Sequence, residues 1–494
     1  MKEIWKSISI DRNSKKAIYQ QLYNQIKSLI LDRRISTNSQ LPAIRKMADS
    51  LDINPATVVK AYEALAEEEY IYKKVGSGSF VAPIQEDSFY QRSDKEEDSL
   101  EMLGYGQIEL DEDINFASAT PSSSLFPVED FKEAINKVLD RDKGEAFTYQ
   151  KSQGYYPLRE SIQKYFNSNG MSIPVNEIQI VSGAQQAIDL LVKIFLDYGD
   201  SVLIEEPTYP GAISAFKSRA AEIESLPTME DGIDLDLLEN KLSKKNYRLL
   251  FTMTSFQNPT GICWSEAKKR RLIELAEQYN LIIIEDDCLS ELSYNGKSYL
   301  PLKAYDKSGQ VIYIKSFSKI FMPGLRLAFL TLPDKYRSKL LAAKHATDIS
   351  TAGLTQRAMD YYFREGLWEK HLENIKELFH ERYQLMLNQL REKLIPPVEL
   401  VYEPNGGIYF WLKLPEGISA EEFYLAAREN KVALLPGDIF KLNKDAINST
   451  KSSYFRLSFA AVSDAEIKTG ITRLKDIFDN LENKSIDKGY IPLV

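Results

Sequence analysis

The residues with the clearest chemical potential cluster around one lysine. In the run Lys315-Ser316-Phe317-Ser318-Lys319, with Arg326 just downstream, the amine of Lys319 can add to an aldehyde and later be displaced by another amine. Ser316 and Arg326 can grip a phosphate, the guanidinium in bidentate fashion. Far upstream, Ser182-Gly183-Ala184-Gln185 follows a short apolar run and opens a helical pattern, where backbone N–H groups and the helix dipole favour an anion. Tyr209, in Glu206-Pro207-Thr208-Tyr209-Pro210, offers a ring to stack on a flat group, and Asp286 closes the run 281–285. A buried carboxylate there suits a protonated ring nitrogen. An amine, two anion grips, a stacking ring and a carboxylate together describe a pocket for a phosphorylated, aldehyde-bearing aromatic heterocycle.

Residues so far apart meet only if the fold gathers them. From about Asn115 onward, short β-branched runs at 178–181, 202–204, 249–251, 281–284 and 311–314 alternate with helical stretches. Continuous apolar strands between helices predict an α/β fold with a mainly parallel sheet covered on both faces. Ligands of such sheets bind beyond the strand C-terminal ends, which is where these residues fall, together with Asn258-Pro259-Thr260-Gly261. Taken singly, Tyr209 reads as core, Asp286 as a strand-end cap and Arg456 as half of a surface ion pair. Only their match to the order of a known family reverses that reading.

In that order the segments resemble the fold-type I aminotransferases of class I, over nearly all of residues 115–480, with the Asn-Pro-Thr-Gly motif and the Ser-x-Ser-Lys motif of 316–319 present together. The resemblance implies pyridoxal 5'-phosphate as a Schiff base on Lys319. It implies phosphate contacts from Ala184, Gln185, Ser316 and Arg326, stacking by Tyr209, a bond from Asn258 to the phenolate oxygen and an ion pair from Asp286. It also implies that Tyr149, in Tyr-x-x-x-x-Gly, reaches the phosphate of a neighbouring subunit in a homodimer, and that Arg456, in Phe455-Arg456-Leu457-Ser458, clamps a substrate carboxylate. Such proteins usually carry a tyrosine shortly after the aspartate, bonded to the cofactor oxygen. Here Asp286-Asp287 runs into Cys288-Leu289. A thiol is a weak donor, which leaves the oxygen contact to Asn258 alone. Cys288 reads as a small buried residue.

The N-terminal region has another texture. Ile18, Leu22, Ile26 and Leu29/Ile30 have the spacing of an amphipathic helix. A second helix begins near Leu41-Pro42-Ala43-Ile44-Arg45, with Ile44, Met47/Ala48 and Leu51 inward. A third runs from about Pro55 to Glu68, with Asn54 as N-cap and proline at its first position. Tyr70 to Lys73 and Ser79 to Val81 flank Gly76-Ser77-Gly78 as a hairpin. Three helices and a hairpin make a winged helix-turn-helix. Over residues 11–82 it resembles the GntR family of bacterial regulators. Arg45, Thr57 and Lys60, with Lys73 and Lys74 on the wing, are the candidates for contact with double-stranded operator DNA.

Residues 1–82 hold 13 Lys+Arg against 9 Asp+Glu, and residues 83–114 hold 2 against 11. A basic head followed by an acidic tether is a composition boundary. At 494 residues the chain exceeds one core. The expected organisation is a GntR-like head over 1–82, an acidic linker over 83–113 and an aminotransferase-like body over 114–494, with a smaller α+β subdomain from about 385. No apolar run approaches a membrane span of about 18 residues, the start lacks a signal-peptide core, and a cytoplasmic location is expected. The three histidines, His345, His371 and His380, read as surface residues, the cysteines number two, and no metal site is expected. Head and body together resemble the MocR-type regulators. That implies a transcription factor in which an amino compound forms an aldimine in place of Lys319. The alternative is a working aminotransferase of 2-aminoadipate or aromatic type that carries a DNA-binding head.

Overall fold

The computed structural model describes residues 17–31, 39–67, 70–74, 78–82, 114–442 and 452–489, with Trp5, Ile8, Ile10 and Ile35 besides. The expected linker, 83–113, and the glycine turn at 76–77 lie outside the described residues. The chain divides into two compact units, Met1–Leu103 and Gly104–Val494.

In the first unit α1 (Ile18–Leu31), α2 (Ile44–Leu51) and α3 (Pro55–Glu67) pack with the antiparallel pair β1 (Ile71–Lys74) and β2 (Gly78–Val81). Leu22, Ile26, Ile30, Met47, Val58, Tyr62, Leu65, Ile71 and Val81 form their common core. Asn54 caps α3, its Oδ1 accepting from Ala56 N at 2.8 Å. Ile44 departs from expectation and is exposed: it sits at the first position of a two-turn helix whose inward face begins at Met47 and Ala48.

The second unit is built on an eight-stranded sheet in the order β4-β11-β10-β9-β8-β5-β6-β7. The strands are β4 (Ile178–Val181), β5 (Ser201–Glu206), β6 (Glu222–Met229), β7 (Gly232–Ile233), β8 (Leu249–Thr252), β9 (Ile282–Asp287), β10 (Val311–Ser316) and β11 (Ala328–Thr331). Only β11 and the terminal β7 run antiparallel to their neighbours. Side chains alternate between faces along a strand. Val202, Ile204, Leu249, Phe251 and Ile284 accordingly pack with the helices Ala184–Phe195 and Pro210–Ser218. Leu203, Leu250 and Ile283 pack on the opposite side with Leu235–Lys244 and Glu266–Tyr279.

A smaller sheet, β12 (Glu399–Leu400), β13 (Tyr409–Lys413), β16 (Tyr454–Ser458) and β15 (Leu435–Pro436), is flanked by the helices Leu367–Lys393, Ala420–Glu429 and Asp464–Gly489. The start of the unit joins this end of the chain. β3 (Ile114–Asn115) pairs in parallel with β14 (Val432–Ala433), and Phe116 packs where a Cβ on Gly470 would lie 2.4 Å from its ring. One histidine also departs from expectation. His371 is buried against Phe321 and Trp368, with Nε2 2.7 Å from Ile320 O, because it faces inward on a helix anchored by Trp368. Among the described residues no helix is long and apolar enough to cross a membrane.

Candidate functional site

The strands β4, β5, β8, β9 and β10 share one direction, so the segments that follow them emerge on one edge of the sheet. After β4, Ser182 and Gly183 turn into the helix that begins at Ala184 and Gln185. Gly183 has φ +108°, and a Cβ there would come within 2.4 Å of Arg326 Nη2. The turn therefore requires glycine both for its backbone and for the guanidinium lying against it. Arg326 Nη2 donates to Ser182 O at 2.9 Å. Asp348 braces the same turn from behind, accepting from Ser182 Oγ at 3.2 Å and Gln186 Nε2 at 2.9 Å. A helix N-terminus with an arginine beside it favours a dianion such as a phosphate ester.

Tyr209 follows β5 and precedes the helix Pro210–Ser218. Its ring packs on Gly211, where a Cβ would fall 2.5 Å from Cε1, and Gln185 Nε2 donates to Gly211 O at 2.9 Å. Burial pushes the Tyr209 phenol up to about 12. Asn258 follows β8. Its Oδ1 accepts from Arg456 Nη1 at 2.7 Å, while Arg456 Nη2 donates to Ala117 O. Arg456 itself is buried, which lowers its pKa.

Asp286, near the end of β9, is buried, and its Oδ1 has no hydrogen-bond partner among the described residues. Burial, reinforced by the charge of Asp287, pushes its carboxyl up to about 7, against the opposing pull of Lys319 and Lys315. An unpaired buried acceptor of this kind is uncommon, and it fits a group that brings its own N–H.

Two lysines flank Ser316, and their surroundings differ. Lys315 is fully buried and bonded to Glu291, with Asp287 Oδ2 at 3.5 Å. Burial opposes its charge, but the two carboxylates outweigh it and hold the amine as ammonium. Lys319 is half-buried, and burial lowers its pKa, with Arg456 adding to the effect. Of the two, Lys319 is the amine available to an aldehyde. Ser316, buried at the end of β10, accepts from Ser318 N at 3.3 Å. Cys288 has its thiol pKa raised by burial and so stays protonated.

Ala184, Gln185, Tyr209, Asn258, Asp286, Ser316, Lys319 and Arg326 thus lie along this one edge, and Arg456 reaches it from β16 of the small sheet through its bond to Asn258. Tyr149 is not brought into it and is 83% exposed, near the exposed Phe147. A cavity of about 550 Å³ lined by Glu291, Tyr299, Tyr313 and Glu369 lies apart, with none of the candidate residues in its wall. In the first unit Arg45, Lys60, Lys73 and Lys74 are exposed and Thr57 is half-buried. Lys60 Nζ stands 4.0 Å from the Tyr19 ring centroid. Sequence reasoning missed Asp348, Ala117 and Tyr409, whose ring centroid lies 4.7 Å from Arg456 Cζ. Only Tyr409 left a local sign, the preceding Gly406-Gly407.

These features fit the ring compound anticipated above: an anion cradle that admits no side chain at Gly183, an orphaned carboxylate oxygen and an amine disfavoured as ammonium. Residues 111–474 match the family described as aminotransferase class I and II, and residues 18–81 match the bacterial regulatory proteins of the gntR family. Aromatic-amino-acid aminotransferase 1 of Thermococcus litoralis is 35% identical over 376 residues, spanning 75% of this chain and 88% of that protein. A Bacillus subtilis protein named uncharacterized HTH-type transcriptional regulator YdfD is 29% identical over 468 residues, 92% of this chain and 95% of its own. Among solved structures, LysN, the alpha-aminoadipate aminotransferase of Thermus thermophilus complexed with N-(5'-phosphopyridoxyl)-L-leucine, aligns with a TM-score of 0.69 at 35% identity. That alignment covers 75% of this chain and 93% of LysN.

Proposed function

The chain belongs to the class I and II aminotransferase family and carries a gntR-family domain ahead of it, and on that premise we propose that it is a pyridoxal 5'-phosphate-dependent transcriptional regulator that senses a carboxylate-bearing amino compound. The observation that carries the reading is the fusion itself: a gntR-family head and a site with its lysine, carboxylate and arginines lie in one chain, and 92% of this chain aligns with a protein named as an HTH-type transcriptional regulator. When bound, the cofactor supplies an aldehyde carbon at which one amine can replace another and a ring whose protonated nitrogen withdraws electrons.

In this reading the turn 182–185 with Ser316 and Arg326 would hold the phosphate, Tyr209 would cover the ring face and Asp286 would keep the proton on the ring nitrogen. Asn258 donates to the ring oxygen through its Nδ2, because its Oδ1 is taken by Arg456. Lys319, whose burial disfavours the ammonium form, would supply the amine that holds the cofactor and could take a proton at Nζ when not so engaged. That changes the charge next to Arg456, whose guanidinium receives the carboxylate of the amino compound. The exposed Phe147 and Tyr149 support a homodimer in which a second copy covers them. A ligand shifts a conformational equilibrium only through different affinities for its states. The sensing reading therefore requires DNA affinity to follow occupancy of the lysine site.

The test is to titrate a labelled fragment of the protein's own promoter with the full chain, with and without amino acids, by fluorescence anisotropy. The expected result is a DNA affinity that changes with the same amino compounds that alter the visible absorption of the protein. Compounds that alter the absorption and leave DNA affinity untouched would sink the sensing reading. Sustained product formation from an amino acid and a keto acid would favour the enzyme instead.

Two substitutions bear on separate halves of the proposal. Arg45→Ala should weaken promoter binding about tenfold and reduce its salt dependence, as expected for one lost phosphate contact. Equal affinity at physiological salt would remove Arg45 from the interface. Arg456→Lys keeps the charge and loses the bidentate fork, so the amino compound should bind about tenfold more weakly, with cofactor content unchanged.

A further inference from the structure

Tyr409 on β13 is fully buried, and its hydroxyl has no hydrogen-bond partner among the described residues. Leaving such a group unpaired costs about 1–3 kcal/mol, and the great majority of buried polar groups avoid it. A hydroxyl that stays unpaired at the wall of a binding space is explained by what fills that space.

The approach of the strand to the site is built for this. A Cβ on Gly406 would lie 2.2 Å from Leu292 O, and one on Gly407 would lie 2.7 Å from Phe256 Cβ. Two glycines therefore let β13 close on the loops after β8 and β9. The Tyr409 ring then lies on the guanidinium of Arg456, 4.7 Å from centroid to Cζ, and Arg456 is bonded to Asn258. The phenol lies within electrostatic reach of Arg456, Cys288, Tyr209 and Asp286. Three of these four belong to the space of the cofactor ring; only Arg456 belongs to the carboxylate side. Among the neighbours that could donate to a ring oxygen, Cys288 has a weak thiol and Asn258 has one amide N–H₂.

We propose that the hydroxyl of Tyr409, entering from the small sheet, donates to the ring oxygen of the bound cofactor and completes the contact that the Cys288-Leu289 segment cannot make. The inference rests on the cofactor reading above and deepens it: Asn258 does not act alone, and the second donor comes from a different subdomain. Movement of the small sheet would then be felt directly at the cofactor.

Tyr409→Phe tests this, because it keeps the ring over Arg456 and removes only the O–H. A donor to the ring oxygen stabilises negative charge there, so the proton shared between that oxygen and the Lys319-linked nitrogen leaves at lower pH. Without the donor, the midpoint of the visible-absorption titration should rise by about one pH unit, a tenfold change or about 1.4 kcal/mol. In the cofactor-free protein the same substitution should leave thermal stability equal or higher, since it deletes an unpaired group. A wild-type protein with no visible band would overturn the cofactor reading and this one with it. A band whose midpoint is the same in both proteins would overturn this proposal alone, and weaker amino-compound binding with that unchanged midpoint would move the hydroxyl to the carboxylate side.

Discussion

Lys319→Ala should yield a folded protein without the absorption band of the lysine-linked cofactor and with no cofactor fixed by borohydride. Only an amine can make the covalent link, and the nearest replacement, Lys315, is unavailable. It is buried among Glu291, Asp287 and Ser290 Oγ, the last at 3.3 Å, and is held as ammonium by the two carboxylates. Moving it into the site would break a buried ion pair, which costs about 3–5 kcal/mol. Lys319 forms no such buried ion pair among the described residues, and its burial already disfavours the charge, so its removal should leave the melting temperature of the cofactor-free protein nearly unchanged. The response of DNA binding to amino compounds should vanish with the band. A persistent band in Lys319→Ala, lost in Lys315→Ala, would reverse the assignment of the two lysines.

The second large effect is expected at Asp286, with opposite signs in the two states of the protein. Without cofactor, burial pushes the carboxyl from the ordinary range up to about 7. Because the folded pKa is the higher one, the stabilising contribution is fully present below the unfolded value of about 4 and is lost as pH rises through about 7. The gap corresponds to on the order of 4 kcal/mol. Asp286→Asn removes this penalty, so the cofactor-free variant should gain stability over the parent at pH 8 and gain little at pH 4, as read by chemical denaturation. With cofactor bound, the carboxylate meets the ring N–H and the order reverses. Asp286→Asn should then weaken cofactor binding by about 100-fold, the scale of a charge-assisted hydrogen bond of about 1.5–3 kcal/mol. Equal cofactor affinity in the two proteins would remove Asp286 from the ring nitrogen.

Much of the large sheet was legible because its central strands are continuous apolar runs, a pattern that few alternatives share. The five runs read from the sequence coincide with β4, β5, β8, β9 and β10, the run at 281–284 beginning one residue before its strand. β6 was not legible, since Glu222–Met229 mixes charged and half-exposed positions along a strand next to the sheet edge. β11 was not legible either: Ala328–Thr331 is four residues long and takes its place by antiparallel pairing with β4 and β10, the first of them far away in the chain. The head was readable because capping at Asn54, the proline at helix position one and the hairpin residues are local signals. Ile44 and His371 were misjudged because periodicity gives a helix a face without saying where its first turn ends up or what its neighbours bury.

The sequence by itself therefore determined the types of group in the site: an amine at Lys319, anion grips at 182–185 and Arg326, a carboxylate at Asp286 and a guanidinium at Arg456. It also placed all of them but Arg456 after the strands of one mainly parallel sheet, because continuous apolar runs alternating with helices imply parallel strands whose C-terminal ends face one way. Only the tertiary structure decided which groups are free to act. Lys315 and Lys319 are chemically identical side chains four positions apart, and their difference comes from Glu291 and Asp287 across the fold. The bond from Arg456 to Ala117 O depends on β3 crossing to β14, and the place of Tyr409 depends on two glycines letting one subdomain close on another. Burial and charge at a point are sums over neighbours from every part of the chain, and no local pattern contains that sum.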